Sequence, residues 1–254
     1  MSQNVLVVHG GGPTAVINAS LYGVIEEAKR NPEVGKVYGA IGGTGAIFSE
    51  TFIDLTSFDD EKLKLLLHTP ASAIGSSRYP LYEKDYEKMV DIFKKHDIKY
   101  VLLNGGNGTM DACGHIYEVC KDQDIKVVGI PKTIDNDIAM TDHSPGYGSA
   151  ARFIAASTQE VGEDVKSLPI HVCIMEAMGR NAGWITAASA LARRKQGDAP
   201  HLIYLPERNF NEDEFLEDVS KLQKKQGGVV VLVSEGLHDA NGESIVPPIF
   251  KSED

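Results

Sequence analysis

Short apolar segments alternate with longer amphipathic segments along the whole chain. Runs rich in Val, Ile and Leu predict strands at residues 4–9, 36–41, 100–104, 126–130, 171–175, 201–205 and 228–233. Most of these runs lack polar alternation, which is typical of parallel strands covered on both faces. Between them, helical periodicity predicts helices at residues 14–30, 59–67, 83–95, 109–121, 148–166, 180–193 and 211–225. This alternation predicts an α/β fold with parallel sheets and helices on both faces.

Composition narrows the classes of function. The 254 residues include 25 Lys and Arg against 36 Asp and Glu, a net charge of −11. Such an acidic surface repels nucleic-acid backbones and anionic lipids, so we expect neither a nucleic-acid nor a membrane partner. The three cysteines form no C-x-x-C pair, the sequence begins without a signal peptide, and we expect a cytoplasmic protein.

Two glycine-rich segments follow predicted strands and precede predicted helices. Gly10-Gly11-Gly12-Pro13-Thr14 follows the first strand, and Gly105-Gly106-Asn107-Gly108-Thr109 follows the strand at residues 100–104. Glycine lets the backbone approach an anion closely, and a helix N-terminus supplies N–H groups and positive potential. These segments predict phosphate binding, although a tight strand-to-helix turn explains either one equally well.

A carboxylate pair follows the strand at residues 126–130. Thr133-x-Asp135-x-Asp137 places two acids two residues apart, and in an extended segment their side chains point the same way. One can then accept a proton while the other holds or orients a metal. Lys132 beside the pair and Arg180 after another strand add cations, so the whole set predicts phosphoryl transfer. An Asx-rich turn is the alternative interpretation.

Seven motifs, in order along nearly the whole chain, resemble those of the 6-phosphofructokinase family, whose members use ATP or pyrophosphate. They are GGGPTAVINAS (10–20), GSSR (75–78), GGNGTMD (105–111), PKTIDND (131–137), TDHSPGYGSAA (141–151), MGRNAG (178–183) and SEG (234–236). The resemblance implies a phosphofructokinase-like fold of two Rossmann-like parallel-sheet domains. We expect a donor-binding domain at residues 1–140 and a sugar-phosphate-binding domain at 141–254. We expect the second domain to be incomplete, because relatives continue beyond the SEG motif.

The resemblance also implies the reaction and the role of each site residue. A phosphoryl group passes to the 1-hydroxyl of fructose 6-phosphate, with Mg²⁺ as cofactor, in a homo-oligomer (dimer or tetramer). Asp135 is the general base, Thr133 and Asp137 position sugar and metal, and Lys132 and Arg180 assist the transferring group. The sugar-binding residues are Met178, Gly179 and Glu235. The donor-binding residues are Gly11, Gly12, Arg78, Asn107, Gly108 and Thr109, with Asn107 and Asp137 as the metal ligands.

The identity of the phosphoryl donor depends on two positions that disagree. Pyrophosphate users in the family typically have an Asp where this chain has Gly108, so Gly108 favours ATP. Lys132, in contrast, is typical of pyrophosphate users and favours pyrophosphate. Steric and electrostatic exclusion by a carboxylate beside a phosphate is the more decisive effect, because it costs several kcal/mol when poorly solvated. Gly108 therefore favours ATP narrowly, with pyrophosphate a close second.

Two further hypotheses stay open. The GGNGT segment also resembles the GGDGT loop of NAD and lipid kinases, although PKTIDND and MGRNAG speak against that assignment. Alternatively the chain is a catalytically weak, sugar-phosphate-binding subunit or fragment. Asn107 replaces the family's metal-binding Asp, His171 replaces an Arg, and the chain stops early.

Overall fold

A computed structural model describes residues 3–77 and 79–245. The chain divides into two compact units, unit 1 (Met1–Thr133) and unit 2 (Ile134–Asp254). This division falls seven residues before the boundary predicted at residue 140, and the binding role predicted for each domain stays a prediction. The backbone N–H of Lys132 still bonds to the carbonyl of Gly105 in unit 1 (2.9 Å), whereas Ile134 packs against the core of unit 2. Asp135 and Asp137 therefore belong to unit 2.

Unit 1 is built on a five-stranded sheet with the order β3-β2-β1-β4-β5. Its strands are β1 (Gln3–Gly10), β2 (Val34–Ala40), β3 (Phe52–Asp54), β4 (Ile98–Gly105) and β5 (Lys126–Pro131). Its helices are α1 (Ala15–Arg30), α2 (Gly45–Phe48), α3 (Asp60–Lys64), α4 (Glu83–Lys95) and α5 (Asn107–Cys120). Four strands are parallel and β3 pairs antiparallel with β2. The sequence analysis missed β3 and α2, which are too short to show a period.

The central strand of unit 1 is buried on both faces. Leu6 and Val8 face a core formed with α4 and α5, in which Phe93 is fully buried. Val5 and Val7 face the opposite core, formed with α1 and α3. The uninterrupted apolar run that predicted a parallel strand therefore reflects burial on two sides, and the prediction of helices on both faces is confirmed.

Unit 2 contains a smaller, wholly parallel sheet with the order β6-β8-β7. Its elements are α6 (Tyr147–Ser167), β6 (Val172–Ala177), α7 (Trp184–Ala188), β7 (Leu202–Tyr204), α8 (Glu212–Gln226) and β8 (Val229–Ser234). The predicted helix at residues 180–193 is wrong at its start, because residues 180–183 form a turn that is held by side chains from elsewhere. None of the helices within the described residues is long and apolar enough to cross a membrane.

A buried histidine stands at the carboxyl end of β1. The side chain of His9 is fully buried, and its Nδ1 lies 2.8 Å from the Ser72 hydroxyl oxygen. The Ser72 hydroxyl donates in turn to the carbonyl of Gly75 (2.8 Å), so Nδ1 is the protonated nitrogen of the neutral ring. Burial lowers the pKa of His9 to about 4.

We expect this histidine to make stability depend on pH. The unfolded chain binds the His9 proton below about pH 6.5 and the folded chain only below about 4, so the free energy of unfolding falls as the pH falls through that window. Between pH 6.5 and 5 the loss is about 1.6 kcal/mol, which is less than about 1.4 kcal/mol per pH unit because the unfolded histidine is already half protonated at pH 6.5. Chemical denaturation at both pH values, followed by circular dichroism, measures it.

The control is His9→Asn, whose amide nitrogen can still donate to Ser72 but does not titrate. The variant should lose less stability on acidification than the parent chain. An equal loss in both proteins would show that His9 is not the group responsible.

Candidate active site

The two glycine-rich segments of unit 1 lie side by side. β1 and β4 pair in parallel register, with Gly10 opposite Gly105 at their carboxyl ends. A Cβ on either glycine would clash with the Thr109 hydroxyl, and one on Gly105 would also lie 2.5 Å from the Gly10 carbonyl. Glycine is therefore required at both strand ends, because the first turn of α5 packs directly on them. Parallel pairing explains why segments almost a hundred residues apart form one loop cluster.

Gly11 adds a backbone conformation that favours glycine. Its φ is +72°, in the left-handed region, and its N–H donates to the Ser77 carbonyl (3.3 Å). The Ser76 hydroxyl donates to the Gly11 carbonyl (2.7 Å). These bonds join the loop after β1 to residues 72–77, although those residues are distant in sequence.

A cleft of about 330 Å³ opens between these two segments. Its lining includes Gly11, Pro13, Ser72, Gly75, Ser76 and Ser77. Small side chains and backbone atoms make up this wall and leave room for a compact anion. The hydroxyls of Ser72 and Ser76 and the N–H of Gly11 already donate within the protein, so they shape the wall and do not supply free donors. The sequence analysis singled out Gly11 but not Ser72, Ser76 or Ser77, although the GSSR motif contains the last two. Arg78, predicted to bind the donor, lies outside the described residues.

The helices that begin at these loops lack their own capping groups. Neither Thr14 before α1 nor Gly106 before α5 makes a side-chain capping bond, and neither first turn contains an acid. The contrast is α8, where Asn211 accepts a bond from the Glu214 N–H and three acids occupy the first turn. The N-termini of α1 and α5 thus keep a positive potential that an anion can neutralise.

The predicted donor residues differ in exposure. Gly12, Asn107 and Gly108 are exposed, and a Cβ at Gly12 or Gly108 would meet no atom within 4 Å. Thr109 is buried with its hydroxyl against Gly10 and Gly105. The structure therefore gives Thr109 a packing role, and its contact with the donor stays a prediction.

Lys132 and Thr133 are both buried beside the second glycine-rich segment. The Lys132 N–H donates to the Gly105 carbonyl, which extends the β4–β5 ladder by one residue. The structure thus brings Lys132 together with the loop at residues 105–109, as the phosphoryl-transfer hypothesis requires.

The carboxylate pair does not have the geometry that the sequence analysis assumed. Asn136, between Asp135 and Asp137, has φ +59°, so the segment bends and is not extended. Asn136 is buried, where its amide donates to the Asp142 carbonyl (3.2 Å) and its oxygen accepts from the Ser144 N–H (2.7 Å). Spacing alone therefore does not make the two carboxylates point the same way. Asp135 is half-buried and Asp137 is exposed.

The MGRNAG motif forms a turn at the carboxyl end of β6. Gly179 has φ +138° and Arg180 has φ +51°, and the Ala182 N–H donates to the Gly179 carbonyl (2.8 Å). Met178 and Arg180 are exposed. A left-handed conformation at a non-glycine residue costs free energy, so other contacts must hold this turn.

The SEG motif supplies part of that support. Glu235 Oε1 accepts bonds from the N–H groups of Gly179 (3.0 Å) and Arg180 (2.9 Å). A Cβ at Gly236 would clash with the Arg180 carbonyl, so the glycine permits this approach. The structure therefore brings Glu235 to the turn at residues 178–183, and its contact with a sugar stays a prediction.

A larger cavity of about 580 Å³ in unit 2 contains none of the predicted site residues. It lies between α6 and the loop at residues 194–199, and includes Lys166, Arg194 and Lys195. Size therefore does not identify the candidate site, whereas the chemistry at the carboxyl ends of the strands does.

No group of three or more His, Cys, Asp or Glu side chains suited to a metal ion occurs in the part of the chain that the structure describes. Mg²⁺ is usually held by one or two carboxylates together with substrate phosphates and water. An exposed carboxylate such as Asp137 fits this mode of binding, and Asn107 offers an uncharged amide oxygen.

Comparisons with known proteins show which proteins this chain is similar to. The pyrophosphate–fructose 6-phosphate 1-phosphotransferase of Rhodospirillum rubrum is 44% identical over 95% of this chain and 60% of its own. The ATP-dependent 6-phosphofructokinase of Amycolatopsis methanolica is 30% identical over 93% of this chain and 52% of its own. The crystal structure of a pyrophosphate-dependent phosphofructokinase from Marinobacter aquaeolei superposes with a TM-score of 0.85 at 40% identity, over 93% of this chain and 61% of that one.

This chain thus spans about 60% of the length of the first of these relatives. The model of the family described as phosphofructokinase matches residues 4–253. Such a match covers nearly all of the chain, including both glycine-rich segments and the motifs of unit 2. The chain therefore belongs to the phosphofructokinase family.

Proposed function

We propose that this chain transfers a phosphoryl group from pyrophosphate to the 1-hydroxyl of fructose 6-phosphate. The observation that carries the proposal is the family match over residues 4–253, with the relatives named for pyrophosphate at 44% and 40% identity. The named ATP-dependent relative is only 30% identical. The comparisons thus support the second of our two donor predictions better than the first.

The geometry of unit 1 supports an inorganic phosphate donor. A cleft of glycine and serine groups beside two uncapped helix N-termini suits a compact polyanion. Lys132, buried beside the second glycine-rich segment, would add the positive charge that phosphoryl transfer requires. In unit 2, Asp135 would accept the proton of the sugar hydroxyl and Arg180 would stabilise the transferring group.

Mg²⁺ is the proposed cofactor. When bound with the donor, it would neutralise phosphate charge, with Asp137 and Asn107 as the proposed protein ligands. Met178, Gly179 and Glu235 are the proposed sugar-side residues. A homo-oligomeric state and a cytoplasmic location stay predictions.

ATP is the second candidate donor, and one observation favours it. Gly108 lies in the first turn of α5 with open space around its Cα, so no carboxylate there competes with a nucleotide phosphate. Formation of fructose 1,6-bisphosphate from fructose 6-phosphate and Mg²⁺, with pyrophosphate or ATP in parallel, tests the proposal. Turnover with pyrophosphate supports the proposal, whereas turnover with ATP alone would make ATP the donor. Sugar binding without turnover supports the hypothesis of a catalytically weak, sugar-phosphate-binding subunit or fragment.

We expect Asp135→Asn to lower kcat by roughly 100- to 10,000-fold, because the amide keeps the size of the carboxylate but cannot accept the hydroxyl proton. Binding of pyrophosphate, measured by calorimetry, should change little. The matched control is Asp91→Asn, an exposed position on α4. Near-parental kcat in Asp135→Asn would remove this residue from the mechanism.

We expect Gly108→Asp to weaken the binding of ATP at least about tenfold, which is about 1.4 kcal/mol. The physical reason is repulsion between the new carboxylate and the nucleotide phosphates. A Cβ at residue 108 meets no atom within 4 Å, so we expect the variant to fold. Gly114→Asp is the control, since it adds the same charge to an open position on the same helix. Equal ATP affinity in both variants would contradict the role of residue 108 in donor choice.

A further inference from the structure

The turn at residues 178–183 is held from two sides by carboxylates that follow two other strands. Glu235, after β8, accepts from Gly179 and Arg180 as described above. Glu207, after β7, accepts from the Gly183 N–H through Oε1 at 2.7 Å. The N-terminal end of the turn is thus bonded to the residue that follows β8 by one position, and its C-terminal end is bonded to a residue shortly after β7.

Gly183 is adapted to the approach of Glu207. A Cβ on Gly183 would lie 2.5 Å from Glu207 Oε2 and 3.0 Å from Pro206 Cδ. Gly183 is also the residue before α7, and its carbonyl accepts from the Ala187 N–H (2.8 Å). A carboxylate on the N–H at this helix start is favourable both as a charge-assisted hydrogen bond and for the helix dipole.

The backbone at Glu207 forms a turn, and its side chain is exposed. The Arg208 N–H donates to the Leu205 carbonyl (3.2 Å), which closes a turn directly after β7. Glu207 therefore reaches Gly183 from a turn anchored to the sheet. Nothing in the sequence pattern identified this residue, because its partner is a backbone N–H that lies 24 residues away.

We propose that Glu207 is a positioning residue that sets the conformation of the turn carrying Met178 and Arg180, a role that rests on the proposed function. Arg180 has an unfavourable left-handed backbone, and only two residues separate it from Gly183. Release of the Gly183 end lets the turn relax, which displaces the guanidinium and the sugar-side residues. Small displacements of groups that bind the transition state cause large losses of rate.

The test compares three substitutions at Glu207. Glu207→Ala removes the acceptor, Glu207→Gln keeps an acceptor oxygen without the charge, and Glu207→Asp keeps the charge but shortens the side chain. Glu160→Ala, at an exposed position on α6, is the matched control. We expect Glu207→Ala to lower kcat/KM for fructose 6-phosphate by about five- to tenfold, with KM for pyrophosphate within about twofold of the parent. Glu207→Gln should keep most of the parental kcat/KM, because its side-chain oxygen can still accept from the Gly183 N–H.

A second measurement does not depend on activity. Hydrogen exchange of the amides at residues 178–183 should accelerate about tenfold in Glu207→Ala and Glu207→Asp, and stay near the parental rate in Glu207→Gln and Glu160→Ala. If the parent chain fails to turn over with either donor, the proposed function fails, and the exchange data still decide whether Glu207 holds the turn. Parental kinetics and parental exchange in Glu207→Ala, or equal losses in Glu207→Gln and Glu207→Ala, would overturn the proposal.

Discussion

The close approach of β1 and β4 at their carboxyl ends is the constraint on which unit 1 depends. Gly10 and Gly105 lie opposite each other, and the Thr109 hydroxyl packs on both. Any side chain at either glycine would separate the strand ends or push α5 away from the sheet. Because the same contact sets where α5 begins, it also aims the N-terminus of that helix. The packing of the strand ends and the direction of this helix N-terminus are therefore two consequences of one arrangement.

In unit 2, the loop at the end of a strand is held by hydrogen bonds to carboxylates as well as by close contacts at glycines. Its turn after β6 has a positive φ at Gly179, which glycine permits, and a left-handed conformation at Arg180, which a non-glycine residue does not favour. Two acids, Glu235 and Glu207, compensate by accepting bonds from backbone N–H groups in the turn. The acidic residues at this end of the sheet hold the backbone that presents Arg180, and they do so through hydrogen bonds to the main chain.

The two positions from which we predicted the donor, Gly108 and Lys132, differ in their surroundings. Lys132 is buried at the end of β5, where its surroundings are fixed by the sheet, whereas Gly108 is exposed in the first turn of α5. A change at residue 108 alters the charge at the helix N-terminus without disturbing the core. The proposal of pyrophosphate as donor rests on the greater identity to the relatives named for pyrophosphate, not on either position.

By itself the sequence determined the α/β class, seven of the eight strands that the described residues form, the parallel sheets and the family, because each depends on local apolar runs and on short motifs. It did not show β3, which is too short to leave a period in the sequence. It also did not show the start of α7 or the division at Thr133, because these depend on contacts between residues that are far apart in the sequence. Only tertiary structure showed that Asn136 bends the segment between the two carboxylates, that Thr109 is a packing residue, and that Glu207 accepts a hydrogen bond from the Gly183 N–H. Each of these depends on a backbone dihedral angle or a partner far along the chain, which residue type and spacing do not encode.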